Sequence, residues 1–166
     1  MTKLAAPVAK LAEPESARDA VGPALRGGRD GPAGGLSPRG RNLLARSLLA
    51  QGRIDAADDL LRRGTADVLG PATLADRCGI AARVLAARGR AACALLLAHS
   101  AVATAGRTDS TGGQGLAYLD LAHTYLALGD GQAARAAARD ARLSFVSKEH
   151  LVGVARADQL LSATGG

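Results

Sequence analysis

The sequence predicts an all-α protein, an α-solenoid of about three helical hairpins with a closing C-terminal helix. Three observations carry that prediction. The 166 residues are 48% apolar but only 2% aromatic, so a core must be packed from Ala, Leu and Val, and small side chains let helices approach closely. No run of alternating β-branched residues suggests a strand. The glycines that punctuate the helical segments recur: Gly52, Gly89, Gly129 and Gly165 are separated by 37, 40 and 36 residues, a period at which stacked helix pairs bury their apolar faces against one another.

The elements follow in order. Residues 1–36 are set apart as a flexible tail, because residues 21–40 ("VGPALRGGRDGPAGGLSPRG") are dense in Gly and Pro, which disfavour a regular element. Residues 3–20 allow a short helix interrupted by Pro7 and Pro14, or disorder. Residues 37–166 form the helical domain. Ser37 serves as N-cap with Pro38 at the first helical position, and the helix runs toward Gly52. A second helix in "RIDAADDLLRRG" has Asp55 near its start, arginines at its end and Gly64 beyond, charge placements that suit the helix dipole. Helices ending at Gly89 and Gly106 come next. The stretch "RTDSTGGQG" reads as a polar loop, "LAYLDLAHTYLALG" as a helix ending at Gly129, and "DGQAARAAARDARLSFV" as its partner. Ser147 is placed to cap the final helix.

Tyr118-x2-Leu121-Ala122-x2-Tyr125, followed by Ala134, Ala138 and Ala141 after the Gly129-Asp130 turn, resembles a tetratricopeptide (TPR) repeat. It departs from the pattern at Ala138, where a large apolar residue is usual, and at Val146 in place of the closing proline. Leu44, Ala45, Leu48, Ala57 and Leu61 occupy the equivalent places in a first unit. Ala81, Ala82, Leu85, Ala94 and Ala101 do so in a second, and Arg41 and Cys78 stand where these two units lack the leading aromatic. Ala122 and Ala134 are expected where the two helices of one unit cross, a place that a large side chain would force apart. The resemblance implies a right-handed solenoid. The Arg/Ala/Leu-rich units also look similar to the TPR arrays of bacterial CHAT peptidase and signalling ATPase proteins. That likeness implies the regulatory array without the enzyme, as a free-standing adaptor or as a fragment of a larger CHAT-type peptidase.

Chemistry-bearing residues are sparse. His99, His123 and His150 form no HxxxH or HExxH pair, and Cys78 and Cys93 lie fifteen positions apart, which is no zinc spacing. Both cysteines read as buried reduced thiols. "GRTDSTGG" lacks the Gly-Lys-Ser/Thr ending of a phosphate loop, and no nucleophile stands in a recognisable elbow. No catalytic residue, cofactor or metal is expected. The formal charge of +6 divides into seven Lys/Arg against four Asp/Glu in residues 1–41 and fourteen against eleven thereafter, with no basic patch interleaved with aromatics. A nucleic-acid partner is therefore not expected. Neither a signal-peptide core nor a membrane span is present in the pattern, and the expected compartment is the cytoplasm.

The expected function is protein–protein interaction, as an adaptor or regulatory array. In TPR arrays the fifth and ninth repeat positions line a concave groove. The resemblance carries these onto Asn42 and Arg46, Gly79 and Arg83, Leu119 and His123, with Gln159 in the last helix. Arg46, Arg83 and His123 would form a cationic ladder suited to an acidic peptide or a C-terminal carboxylate. The plainer alternative is a solvated basic helix face. Two further classes stay open: a small-ligand sensor using the groove, and a self-associating module whose last helix exposes Leu160 and Leu161.

Overall fold

The computed structural model describes residues 35–63 and 69–165. The expected tail, residues 1–36, lies outside them save for Gly35 and Leu36. Seven helices and no strand occur among the described residues: α1 (Pro38–Ala50), α2 (Ile54–Arg62), α3 (Pro71–Ala87), α4 (Ala91–Ala105), α5 (Thr111–Ala127), α6 (Gly131–Val146) and α7 (Leu151–Ala163). The protein is all-α. It divides into two compact units, Met1–Val68 and Leu69–Gly166.

In the first unit, α1 and α2 pack against each other. Ser37 caps α1 as its sequence implies, its Oγ accepting from the backbone N–H of Gly40 at 3.1 Å, with Pro38 supplying a pre-set φ in the first turn. Ala45, Leu48 and Leu49 of α1 and Ala57 and Leu61 of α2 are buried. Asp58 and Arg62 form an i,i+4 ion pair at 2.7 Å on the outer face of α2.

The second unit is built from α3 to α7. Sequence neighbours α3 and α4, α5 and α6, and α6 and α7 are packed pairs, and α5 also packs on α3 and α4. Its main core joins Ala82, Ala98, Leu119, Leu121, Ala122, Ala137, Ala138, Ala141, Phe145, Ala157 and Leu160. A smaller cluster joins Ala75, Ala101, Ala105 and Ala117. Alanine dominates both, so interhelical distance is set by Cβ atoms, and methyl-sized changes are felt.

The alanines expected at helix crossings are buried throughout. Ala45 and Ala57, Ala82 and Ala94, and Ala122 and Ala134 are each at most 1% exposed. In every pair the two residues are twelve positions apart.

The turns repeat as closely as the alanines. Gly52, Gly89 and Gly129 all have positive φ (72°, 73° and 84°). Each donates its N–H three residues back, and the following residue donates five back, as in Arg53 to Leu48, Arg90 to Leu85 and Asp130 to Tyr125. This Schellman arrangement satisfies the last carbonyls of a helix and needs a left-handed residue, which glycine adopts without a Cβ penalty. Gly165, aligned with these three by its spacing, is not among the positive-φ glycines. The fourth such turn closes α6 instead, with Glu149 at φ 54° and His150 donating to the Phe145 carbonyl at 3.0 Å.

Two sequence expectations about helix starts are corrected. "TGGQG" is the first turn and more of α5, not loop, because Ser110 caps the helix through Gly113 at 3.1 Å and Gly115 faces the core. Ser147 does not cap α7. It ends α6 and turns its hydroxyl back to the Ser144 carbonyl, while His150 Nδ1 accepts from the Gly153 N–H at 2.9 Å and caps α7.

Candidate interaction surface

The positions expected to line a groove have different fates. Asn42 on α1 is 2% exposed, and Gly79 and Leu119 are also buried. Arg46 is half-buried on α1, in the first unit. Arg83 and His123 are half-buried on α3 and α5, which pack together in the second unit, and Gln159 is exposed on α7. Asn42 and Arg46 thus lie in the first unit, and Gly79, Arg83, Leu119, His123 and Gln159 in the second.

Arg83 already holds a carboxylate. Its Nη1 donates to Asp120 Oδ1 at 3.3 Å, and the Asp120 side chain is 1% exposed against 18% for Arg83. Asp120 lies 37 residues beyond Arg83 in sequence, and Gly79, one helical turn before Arg83, leaves the space that the carboxylate fills. A Cβ at Gly79 would stand 2.5 Å from Asp120 Oδ2. The pair is an internal clamp between α3 and α5. The sequence does not announce Asp120, because an acid inside an apolar helix gives no sign of its partner.

The histidines likewise have local partners. His99 Nε2 and the Tyr125 hydroxyl lie 3.0 Å apart, with their rings edge-on at 6.0 Å. The His150 ring lies over Phe145 at 5.2 Å. Phe145 itself is 1% exposed, its ring held in a slot between Gly115 and Gly153, where an added Cβ on either side would overlap ring carbons.

Of the two cysteines, Cys78 is half-buried, and burial pushes its thiol up, partly offset by the Arg77 cation beside it. Cys93 is exposed, contrary to the expectation of two buried thiols. The stripe Ala94, Ala98, Ala101 and Ala105 faces the core on α4, and Cys93 falls outside it. Among the described residues no three His, Cys, Asp or Glu side chains converge to hold a metal ion, and no helix is long and apolar enough to cross a membrane.

Two surface features remain. A shallow groove of about 200 Å³ on the first unit is lined by Leu44, Leu48, Ala56, Asp59, Leu60 and Arg63. Its volume falls below the roughly 300–1,000 Å³ typical of small-molecule sites. The second is an apolar corner where α6 meets α7. Leu143 is 65% exposed, Val146 48%, Leu151 78% and Val152 59%. The buried stripe of α6 runs through Ala134, Ala138, Ala141 and Phe145, and that of α7 through Gly153, Ala157 and Leu160. The four exposed residues lie off both stripes, which was the sequence signal for them. Leu160 and Leu161, expected on the open end, are instead packed into or against the main core.

No family model, curated protein or solved structure matches the chain.

Proposed function

We propose that the chain is a non-catalytic interaction module, an adaptor or regulatory array built as a TPR-type solenoid. The twelve-residue spacing of buried alanines in three successive helix pairs and the three identical glycine turns support the repeat reading. The observation that carries the functional reading is the apolar corner. Leu143, Val146, Leu151 and Val152 fall within ten consecutive residues at one helix junction, where solvated apolar surface is costly and a partner's apolar side chains would relieve it.

Phe145 ties this corner to the main core. Its buried ring anchors the end of α6, and its carbonyl accepts from both Lys148 and His150, at 3.2 and 3.0 Å. A partner therefore has little ordering to impose before contact. The acidic-peptide reading keeps as candidate contacts Arg46 in the first unit and, separately, His123 and Gln159 in the second, where Arg83 is paired with Asp120.

The test is binding of the full-length chain, at low concentration, to an array of amphipathic helical peptides and acidic peptides. Amphipathic peptides are expected to bind, and a Leu143→Ser/Leu151→Ser variant is expected to lose them. Acidic-peptide binding that falls in Arg46→Ala or in His123→Ala would instead assign the contact to the unit that carries that residue. No binding in either class, by a chain shown to be folded and monomeric, refutes an interaction surface.

A further inference from the structure

We propose that the outer face of α6 binds an acidic helical segment of a partner protein, with Arg135 and Arg139 as the residues that take its carboxylates. The inference rests on the interaction-module reading and names the partner's chemistry. Residues 135, 139, 142 and 146 recur at intervals of four, three and four, so Arg135, Arg139, Arg142 and Val146 form one stripe along the helix. All four are exposed. The buried residues of α6, among them Ala134, Ala138, Ala141 and Phe145, lie on its other side.

The charge on this stripe is not balanced from within. Arg142 is paired with Asp158 of α7 at 2.8 Å, whereas no carboxylate among the described residues pairs with Arg135 or Arg139. Asp140 follows Arg139 in sequence but falls off the stripe. One turn beyond Asp158 on α7 stands Ser162, whose hydroxyl donates back to the Asp158 carbonyl at 3.0 Å. The Arg135 guanidinium lies beside the C-terminal end of α7, where an added Cβ on Gly165 would stand 2.8 Å from Nη2. Over residues 131–163 five basic residues (Arg135, Arg139, Arg142, Lys148, Arg156) face three acidic ones (Asp140, Glu149, Asp158).

Arginines four positions apart are offset by about 6 Å along a helix, the same offset as two carboxylates four apart on a helix laid alongside. Guanidinium and carboxylate then match in bidentate geometry. Val146, at the end of the stripe, and its exposed neighbour Leu143 would meet the apolar face of that helix. Glu149 and Asp158 flank this region and would oppose a lipid surface or a phosphate backbone, which are anionic throughout. A peptide can place its acids at two positions only.

Fluorescence anisotropy with the full chain compares three labelled helical peptides that share one apolar face and differ at two positions four apart, carrying Glu, Gln or Lys at both. The Glu peptide is expected to bind about five- to tenfold more tightly than the Gln peptide in low salt, as two exposed ion pairs would allow, and to lose that advantage near about 1 M salt. Arg139→Gln and Arg135→Gln/Arg139→Gln should remove the advantage stepwise, and Arg135→Glu/Arg139→Glu should transfer it to the Lys peptide. Both side chains are exposed, so melting temperatures should stay near wild type; if Arg135 variants loosen the end of α7, Arg139→Gln alone carries the test. Equal binding of the Glu and Gln peptides overturns the proposal and leaves the interaction reading in place. Binding of none of the three overturns both. Tighter binding of phosphatidylserine vesicles or duplex DNA than of the Glu peptide, lost in the same variants, assigns the stripe to a phosphate ligand and also overturns the proposal.

Discussion

The carboxylate of Asp120 occupies the space that a side chain on Gly79 would need, and from there it meets the guanidinium of Arg83. Glycine, acid and base lie on two packed helices, and each has a meaning only beside the other two.

Gly79→Ala should therefore destabilise the fold by about 1–3 kcal/mol, because the neighbour that must yield is a fully buried carboxylate within an ion pair. Asp120→Ala should cost about 2–4 kcal/mol, less than a wholly buried pair would, since Arg83 keeps some access to water. Urea titration of each variant and of the Gly79→Ala/Asp120→Ala double variant checks this. The double variant should cost clearly less than the sum of the single ones, because removing the carboxylate makes room for the new methyl group. Strict additivity would show that the clash is not felt.

Phe145 offers a second size test. Gly153→Ala and Gly115→Ala place a methyl group against the ring and should each lower stability by about 1–3 kcal/mol. Phe145→Leu alone should also be costly, as a large buried side chain is reduced. Combined with Gly153→Ala it should cost less than the two losses added, and calorimetric melting would detect the difference.

Glu149 is the one described non-glycine residue at positive φ, in a turn whose three counterparts use glycine. Glu149→Gly should raise stability by about 1 kcal/mol by removing the left-handed penalty, whereas Glu149→Ala, which retains a Cβ, should gain nothing. Calorimetric melting of both variants checks this.

The thiols should separate by reactivity. Cys93 is exposed and should react first with a thiol reagent at neutral pH. Cys78, whose pKa is raised by burial and only partly lowered by Arg77, should react slowly and require more alkaline solution. The folded-state pKa lies above the unfolded one, so the contribution of Cys78 to stability is complete below the unfolded thiol pKa and is lost as pH rises through the folded value. Cys78→Ala should flatten that alkaline decline in urea titrations from neutral pH upward.

Much of the fold was legible in the residues. The positions of Gly52, Gly89 and Gly129 and the caps at Ser37 and Pro38 are local matters, set by φ preferences and hydrogen bonds within a few residues, and the structure places them as expected. The small residues Ala45, Ala57, Ala82, Ala94, Ala122 and Ala134 were also readable as buried, because recurrence at a fixed interval is a property of the chain itself.

What only tertiary structure decided is which side chains meet across helices. Nothing near Arg83 in sequence announces Asp120, nothing near Gly153 announces the Phe145 ring, and Ser147 looked a better cap than His150 until the ring contact with Phe145 set that turn. An expected groove residue such as Asn42 proved buried, whereas Leu143 and Leu151 lie in solvent, off the buried stripes of their helices. Short-range backbone preference settles where a helix begins and ends. The partner of each outward-pointing group depends on helix rotation and crossing, which only the packed helices together determine.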